Sequence, residues 1–266
     1  MDFDATVKST KRKKIKNVIV AVVVIAIIFL IGFYVCSENL FFVKSVAIKD
    51  KTGEDGLFGE FPYTEQEMLE GLGIKVGTGL YDFDARDAEK NAKYNLSYIK
   101  EIKISRLWPG TVVAKTVLEK PEYYASVDDE LYIIADNLKV LEKTQSPEKI
   151  ELGSLIYLEC TGIHSCIVGE KLGIDEDIEE IILNLEKSLS ENRVKNEITS
   201  INVSDKFNLS LSYGTKYIVK LGDSKSLGTK IEFMKRIIED RTDDLVGGTI
   251  DVSDEKNREA IYKKFK

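Results

Sequence analysis

The sequence has few of the residues from which acid–base, thiol and metal sites are built. It contains one histidine, three cysteines, one tryptophan and four prolines among its 266 residues. A histidine-rich metal site is therefore excluded, and a Ser-His-Asp arrangement would have to use His164. Cys160 and Cys166 flank TGIHS, where both a small disulfide loop and two free thiols remain open. Two cysteines do not make a disulfide framework, so the fold must depend on its hydrophobic core.

The motifs that could carry chemistry stand in the wrong context. The segment GLGIKVGTG (71–79) is rich in glycine, but a phosphate-binding loop needs a strand before it and a helix directly behind it. The Cys-x3-His-x-Cys spacing of residues 160–166 fits no common zinc module. Paired carboxylates such as Asp82 and Asp84 are more typical of helix caps and solvated loops. The sequence therefore predicts no catalytic, cofactor-binding or metal-binding residue and no enzymatic activity.

Charge is distributed unevenly at the N-terminal end. Residues 17–35 contain no charged side chain, and a helix of this length, at ~1.5 Å per residue, nearly spans a ~30 Å hydrocarbon core. The preceding KSTKRKKIK favours a cytoplasmic N-terminus. A cleaved signal peptide would have a shorter apolar stretch, and a lipid-anchored Cys36 would follow a small residue rather than Val35. We predict a cytoplasmic basic tail at 1–16 and a retained, single-pass transmembrane helix at 17–36 of the cell (plasma) membrane.

The remainder of the chain is acidic. The whole sequence has a formal net charge of −7 at pH 7 in spite of its basic tail. Such a surface repels phosphate backbones, so no nucleic-acid partner is expected. It also disfavours contact with anionic lipid, apart from the basic end KKFK (263–266). Acidity of this kind predicts solubility rather than a particular partner.

Hydrophobic periodicity predicts a small α+β unit after the apolar segment. In FFVKSVAIKD a short strand should place Phe42, Val46 and Ile48 on one face. A Thr-x-x-Glu capping box predicts a helix that begins at Thr64, and a second helix should begin at Asp84. The alternating YIKEIKISRLW, a Trp-Pro-Gly-Thr turn and TVVAKTVLE predict two antiparallel strands, with Ile102 and Ile104 turned inward. Two helices would then cover a three-stranded sheet.

A larger mixed β domain with flanking helices is predicted beyond this unit. ELYIIADNLKVLEK (130–143) is typical of a hairpin, with its turn at Asp136 and Asn137. Residues 174–189 have the apolar spacing of an amphipathic helix. Three strands follow in ITSINVS, FNLSLSY and KYIVKLG, then a helix in SLGTKIEFMKRIIED. GGTIDVS (247–253) is predicted to be the last strand, followed by a charged tail at 254–266.

Four blocks of sequence, taken in order, are more specific than any single motif. They are the basic tail and anchor followed by FFVKSVAI, then YIKEIKISRLWPGTVVAKTVLEKPEYYA, then LYIIADNLKVLE, and last KYIVKLGDSKSLGTKIEFMKRIIED with GGTIDVS. Together they resemble the FtsQ/DivIB family of bacterial cell-division proteins. The resemblance implies a membrane-proximal POTRA domain at 37–120 and a β domain at 121–253. The positions that match the family's strand-pair signature are Ile102, Ile104, Arg106, Trp108, Pro109, Thr111, Val117, Glu119, Pro121 and Ala125.

The departures from the family pattern are mild. Val113 and Ala114 stand in a region where the family has Leu-x-Ile, and Lys120 replaces an arginine with its charge retained. Asn137 and Leu138 occupy the glycine region of the family's hairpin. Within the resemblance, Trp108 and Pro109 form the POTRA hairpin turn, and Glu119 to Pro121 form the hinge into the β domain.

The side chains of that hairpin and hinge have two interpretations. Arg106 and Glu119 are either exposed contacts or a cross-strand pair of modest value. Pro121 restricts Lys120 to extended conformations, which stiffens the joint.

The resemblance implies scaffolding rather than catalysis. Family members bind FtsL and FtsB/DivIC, two small bitopic division proteins, and regulate the septal peptidoglycan synthase and transpeptidase outside the cytoplasm, at the division septum. The last strand of the family offers a free edge to a partner strand. The predicted binding residues are Thr249, Ile250, Asp251, Val252, Ser253, Asp254 and Glu255. The alternative is that the tail covers this edge. Rival classes are a POTRA protein of a secretion or envelope-assembly system and an anchored cell-wall enzyme.

Overall fold

The computed structural model of the protein shows an α+β fold with a three-stranded sheet and a larger mixed sheet. The described residues are 18–34, 41–50, 61–145, 155–240, 247–254 and 260–265. They fall into two compact units. The first extends to residue 92 and includes 102–116, and the second comprises 93–101 and everything from 117 onward. The predicted fold class is confirmed at this level, and the two sheets are consistent with a POTRA domain plus a β domain.

Residues 18–34 form the first helix, α1, and its apolar side chains are exposed. Within the described ranges, no helix is both long enough and apolar enough to cross a membrane. The predicted cytoplasmic tail at 1–16 and positions 17, 35 and 36 of the predicted transmembrane segment lie outside the described residues.

The first unit is built largely from a three-stranded sheet and two helices. The strands are β1 (Ser45–Asp50), β2 (Ile99–Leu107) and β3 (Thr111–Leu118), in the order β1-β3-β2 with β1 parallel to β3. Ile102 and Ile104 are buried, whereas the residues between and beside them are exposed, as predicted. This alternation is that of a sheet with one face on the core.

Helices α2 (Glu65–Leu72) and α3 (Ala85–Asn95) are held to opposite edges of this sheet. The predicted capping box is confirmed, since the Glu67 N–H donates to Thr64 Oγ1 and the Thr64 N–H donates to the Glu67 carboxylate. The carboxylate of Glu65 accepts from the β1 N–H of Val46 at 2.9 Å. In the same way, Glu89 of α3 accepts from the N–H of Ile104 in β2 at 2.9 Å.

The prediction for Phe42 was wrong. Its side chain is 38% exposed, and the neighbouring Val43 is fully buried instead. The physical reason is that the segment before Ser45 is not part of β1. Phe42 makes an isolated bridge to Gly79, so the alternation of β1 starts afresh after it.

The second unit contains a nine-stranded sheet in the order β12-β11-β10-β9-β8-β7-β4-β5-β6. The pairs β4–β7, β7–β8 and β10–β11 are parallel, and the other neighbours are antiparallel. Its strands are β4 (Pro121–Val127), β5 (Glu130–Ala135), β6 (Val140–Thr144), β7 (Ile156–Glu159), β8 (Ile198–Asn202), β9 (Leu209–Tyr213), β10 (Tyr217–Gly222), β11 (Gly248–Asp251) and β12 (Ile261–Lys264).

Helices α4 (Glu176–Glu191) and α5 (Leu227–Asp240) supply the apolar stripes that their spacing predicts. A short 3₁₀ turn, Lys195–Glu197, follows α4. The stripes join inward-facing strand residues such as Tyr123, Ile201 and Val219 in one cluster. The buried stripe residues are Ile181, Ile182, Leu185 and Leu189 in α4, and Leu227, Ile231, Met234 and Ile238 in α5.

The β5–β6 hairpin and its turn at Asp136 and Asn137 are confirmed, but the expected left-handed conformation lies one residue later. The residue with positive φ is Leu138, at 66°, rather than Asp136 or Asn137. Asn137 contributes its side-chain oxygen, which accepts from the Lys139 N–H at 3.0 Å. Leu138 tolerates the left-handed backbone because its side chain is fully buried in the core of the second unit.

Candidate functional site: an open sheet edge

The segment predicted to bind a partner lies one strand inside the sheet. β11 pairs with β10 on one side and with β12 on the other. The prediction that GGTIDVS is the last strand, with a free edge, was wrong, because Ile261–Lys264 forms a further strand within the predicted charged tail. The alternative, an edge covered by the tail, matches this geometry. A strand of four residues with two lysines has too short an alternation to stand out in a sequence.

The predicted binding residues have different surroundings. Ile250 and Val252 are buried in the core of the second unit, whereas Thr249 and Asp251, which alternate with them, are half-buried. Beyond the strand, Ser253 donates its N–H and its hydroxyl to the Asp251 carboxylate at 3.0 and 2.6 Å. Asp254 is exposed, and Glu255 lies outside the described residues.

One aromatic residue and one glycine allow β12 to pack against β11. The Tyr262 hydroxyl donates to the carbonyl of Gly247 at 3.0 Å, and the ring packs against the core. Opposite it, a Cβ at Gly248 would overlap both the carbonyl oxygen of Lys263 and the Tyr262 ring. β12 can therefore lie close to β11 only because residue 248 has no side chain.

The outer edge of β12 follows from the hydrogen bonds of β11. The Gly248 N–H donates to the carbonyl of Lys216, just before β10, and the Val252 N–H donates to that of Lys220 in β10, both at 2.9 Å. Because main-chain groups of a strand alternate between its two neighbours, Thr249 and Asp251 must face β12. Their register partners are Lys263 and Ile261. The main-chain groups of residues 262 and 264 consequently point away from the sheet, and β12 has one neighbour among the described strands.

Arg106 is neither an exposed contact nor a cross-strand ion pair. Its guanidinium donates to the carbonyl of Leu80 at 2.7 Å and to that of Phe83 at 2.6 Å. It also lies 4.6 Å from the centre of the Phe83 ring. These contacts fasten the end of β2 to the loop between α2 and α3. Trp108, by contrast, is 60% exposed in the turn that follows, and Pro109 is half-buried beside it.

Glu119 is buried in a polar cluster at the end of β3. Its carboxylate accepts from Asn137 Nδ2 at 3.1 Å and lies 3.6 Å from the ammonium of Lys139. Lys100 approaches it to 4.0 Å from the surface. Pro121 begins β4 three residues after β3 ends, so Glu119 lies in a very short connection. These contacts explain the residue as a structural carboxylate, and its role as part of a hinge stays a prediction.

The cysteine segment has no feature of a reactive site. Cys160 and Cys166 are half-buried free thiols. Burial raises the pKa of Cys160 to about 11 and raises that of Cys166, which keeps both protonated at neutral pH. The side chain of His164 is exposed, and its backbone N–H donates to the carbonyl of Gly173. In the part of the chain that the structure describes, no group of three His, Cys, Asp or Glu residues could hold a metal ion.

These features define a class of protein before any comparison: a two-unit α+β protein whose larger sheet, within the described residues, ends in an open edge. No protein-family model matches the chain. A cell division protein DivIB from Clostridium botulinum (strain Hall) is 28% identical over 255 residues, which is 93% of this chain and 91% of that protein.

Two further relatives carry the same description. A cell division protein DivIB from Clostridium botulinum (strain Loch Maree) is 27% identical over the same shares of both chains. A cell division protein DivIB from Clostridium tetani is 24% identical over 198 residues, covering 74% of this chain and 69% of the relative. These alignments along most of the sequence confirm the resemblance to the FtsQ/DivIB family of cell-division proteins.

Proposed function

We propose that the protein is a non-catalytic, bitopic membrane scaffold of the bacterial division complex. Segment 17–36 anchors it, with the tail 1–16 in the cytoplasm and the domains at 37–120 and 121–253 outside the cytoplasm at the septum. It binds FtsL and FtsB/DivIC type proteins and thereby regulates the septal peptidoglycan synthase and transpeptidase. Support comes from the division-protein relatives and from the uncharged run at residues 17–35.

The observation that carries this proposal is the outer edge of β12. An added partner strand would pair with the main-chain groups of residues 262 and 264, while Gly248 to Asp251 pair with β12 on its other side. Main-chain pairing supplies affinity in such complexes, and alternate side chains supply specificity. Exposed Lys263 and Lys264 favour a partner strand with acidic side chains.

A proline at position 264 tests strand addition at this edge. Lys264→Pro removes an N–H that points outward and leaves the N–H of Lys263, which faces β11, in place. Lys264→Ala is the matched control, since it removes the same side chain and charge but keeps the N–H. We expect co-purification of the full-length chain with its FtsL and FtsB/DivIC type partners to weaken about tenfold in the proline variant, ~1.4 kcal/mol, from a lost hydrogen bond and the ring's bulk.

The alanine variant should bind within about threefold of the parent, and both variants should keep the parental melting temperature because position 264 is exposed. Equal binding by the proline and alanine variants would place the partner elsewhere. Failure of the parental chain to bind either partner would contradict the scaffold function itself.

A further inference from the structure

We infer that the first unit touches the lipid bilayer through a hairpin end, a surface formed by Phe42, Tyr81, Leu107 and Trp108. Its Trp108 and Leu107 side chains enter the interfacial layer of the membrane beside the anchor. The surface thus fixes how the first unit is oriented on the bilayer. This inference rests on the proposed function, because it requires the anchor at 17–36.

Three chain segments meet at the hairpin end. Arg106, just before the turn, donates to the carbonyls of Leu80 and Phe83. Just after the turn, Gly110 accepts from the Lys44 N–H at 2.8 Å. A Cβ at Gly110 would overlap the carbonyl oxygen of Phe42. The turn at 108–110, the entry segment at 41–44 and the loop around residue 81 are therefore held together on one side of the unit.

The four side chains that define this surface are apolar or aromatic, and they are exposed. Tyr81 is 67% exposed, Trp108 60% and Leu107 56%. The rings of Tyr81 and Phe41 lie 6.4 Å apart. Their backbones are fixed by the contacts above, so the group cannot fold inward to bury itself. Tryptophan and tyrosine are enriched where a protein meets the membrane interface, because each ring has an apolar body and a polar tip.

The length of the chain that leads to this surface indicates lipid as its occupant. The predicted anchor ends at residue 36, and Phe41 already lies at the hairpin end. The five Cα–Cα steps from residue 36 to residue 41 span at most roughly 18 Å when fully extended. The interfacial layers account for about 10–15 Å of a bilayer in total, so the hairpin end is tethered within reach of one. Asp82 and Asp84 are exposed beside it, which favours zwitterionic over anionic lipid.

Trp108 is the only tryptophan of the chain, so the native protein carries its own probe. We would reconstitute the full chain into phosphatidylcholine vesicles and record tryptophan emission with and without brominated phosphatidylcholine. The expected result is emission shifted to shorter wavelength than in detergent-free ectodomain (37–266), and at least a twofold loss of intensity with brominated lipid. The control is Trp108→Phe with Lys115→Trp, which places the probe at an exposed position about 13 Å along β3 from its first residue, Thr111.

The emission wavelength of the tryptophan at position 115 should be the same as in the ectodomain, and brominated lipid should not reduce its intensity. Emission from Trp108 that matches the ectodomain, without quenching, would overturn the inference. A blue shift without quenching that grows with protein density would overturn it in favour of contact between copies of the chain. Flotation of the same vesicles tests the membrane anchor separately from the bilayer contact of Trp108. A chain that fails to float refutes the anchor, and the inference with it, whereas a floating chain with an unquenched Trp108 refutes the inference alone.

Discussion

The two ends of the nine-stranded sheet are finished in different ways. At the β6 end, the chain covers the start of its edge strand: the Val140 N–H donates to the carbonyl of Glu170, and the Gly169 N–H donates to the carbonyl of Val140, both at 2.8 Å. Leu141 in the same strand is only 1% exposed. At the β12 end, Ile261 is 58% exposed, and no described strand lies beyond it.

The difference shows which edge is available for strand addition. An unpaired edge invites pairing with other chains, and proteins usually cover it or place lysines on it. The β6 end is covered at Lys139 and Val140, so a partner that pairs with the whole strand would first have to displace residues 169–171. The β12 end has no cover among the described residues, so a partner can add there without breaking an existing hydrogen bond. Its lysines disfavour added strands that lack acidic side chains.

The largest expected effect comes from creating a cavity at the covered end. Leu141→Ala should lower the free energy of unfolding by about 3 kcal/mol, because a fully buried leucine loses both its transfer energy and its packing. The matched change at the open end, Ile261→Ala, should cost less than about 0.5 kcal/mol because that side chain is exposed. Urea denaturation of both variants measures the contrast. Equal costs would mean that β12 is packed as tightly as β6.

The second effect concerns the turn at the covered end. Leu138→Gly should cost about 2 kcal/mol, since the loss of a buried side chain exceeds the ~1 kcal/mol of relief from its left-handed backbone. Asp129 is the control, because it also has positive φ, at 63°, but is exposed. Asp129→Gly should be neutral or slightly stabilising. The melting temperatures of the two glycine variants should therefore shift in opposite directions from that of the parent, or differ from each other by several degrees.

The smallest expected effect is the pH dependence of the stability that Asp223 contributes. Asp223, directly after β10, accepts from the buried ammonium of Lys230 at 2.8 Å, and this hydrogen bond lowers the pKa of the carboxyl below 3.8. A carboxyl whose folded-state pKa is depressed stabilises the fold above its unfolded-state pKa, and this contribution is lost as the pH falls through the folded-state value.

Asp223→Asn should therefore lower stability at pH 7 by less than about 1 kcal/mol, because the side chain of Asp223 is 39% exposed. The gap between variant and parent should narrow below about pH 4. Urea midpoints at pH 7 and pH 3 give the comparison. A gap that stays constant between the two pH values would show that the carboxylate charge contributes nothing.

The elements that the sequence predicts well are those whose signal is local. The capping box at Thr64 and the stripe of α4 need no information beyond one or two helical turns. The alternation around Ile102 likewise reports burial directly. In each case the pattern and the final packing involve the same few residues.

The features that were missed depend on partners far away in sequence. Arg106 becomes a fastener only because Leu80 and Phe83 are brought to it. β12 is too short to show periodicity, and its position depends on pairing with Thr249 and Asp251. Leu138 adopts a left-handed backbone, which leucine disfavours, because burial of its side chain in the core offsets the cost. Sequence alone could indicate a binding edge, but it could not say which strand ends the sheet.

The glycine at position 248 has a consequence for how sequences of this kind can vary. The side chains of β12 other than Tyr262 meet solvent, so substitutions at 261, 263 and 264 can accumulate with little cost to folding. Any other residue at 248 would wedge its Cβ between the two strands. The position that constrains the edge therefore belongs to the strand behind it. Sequence similarity within β12 alone is therefore a poor guide to the binding surface, because its exposed residues can be substituted most freely.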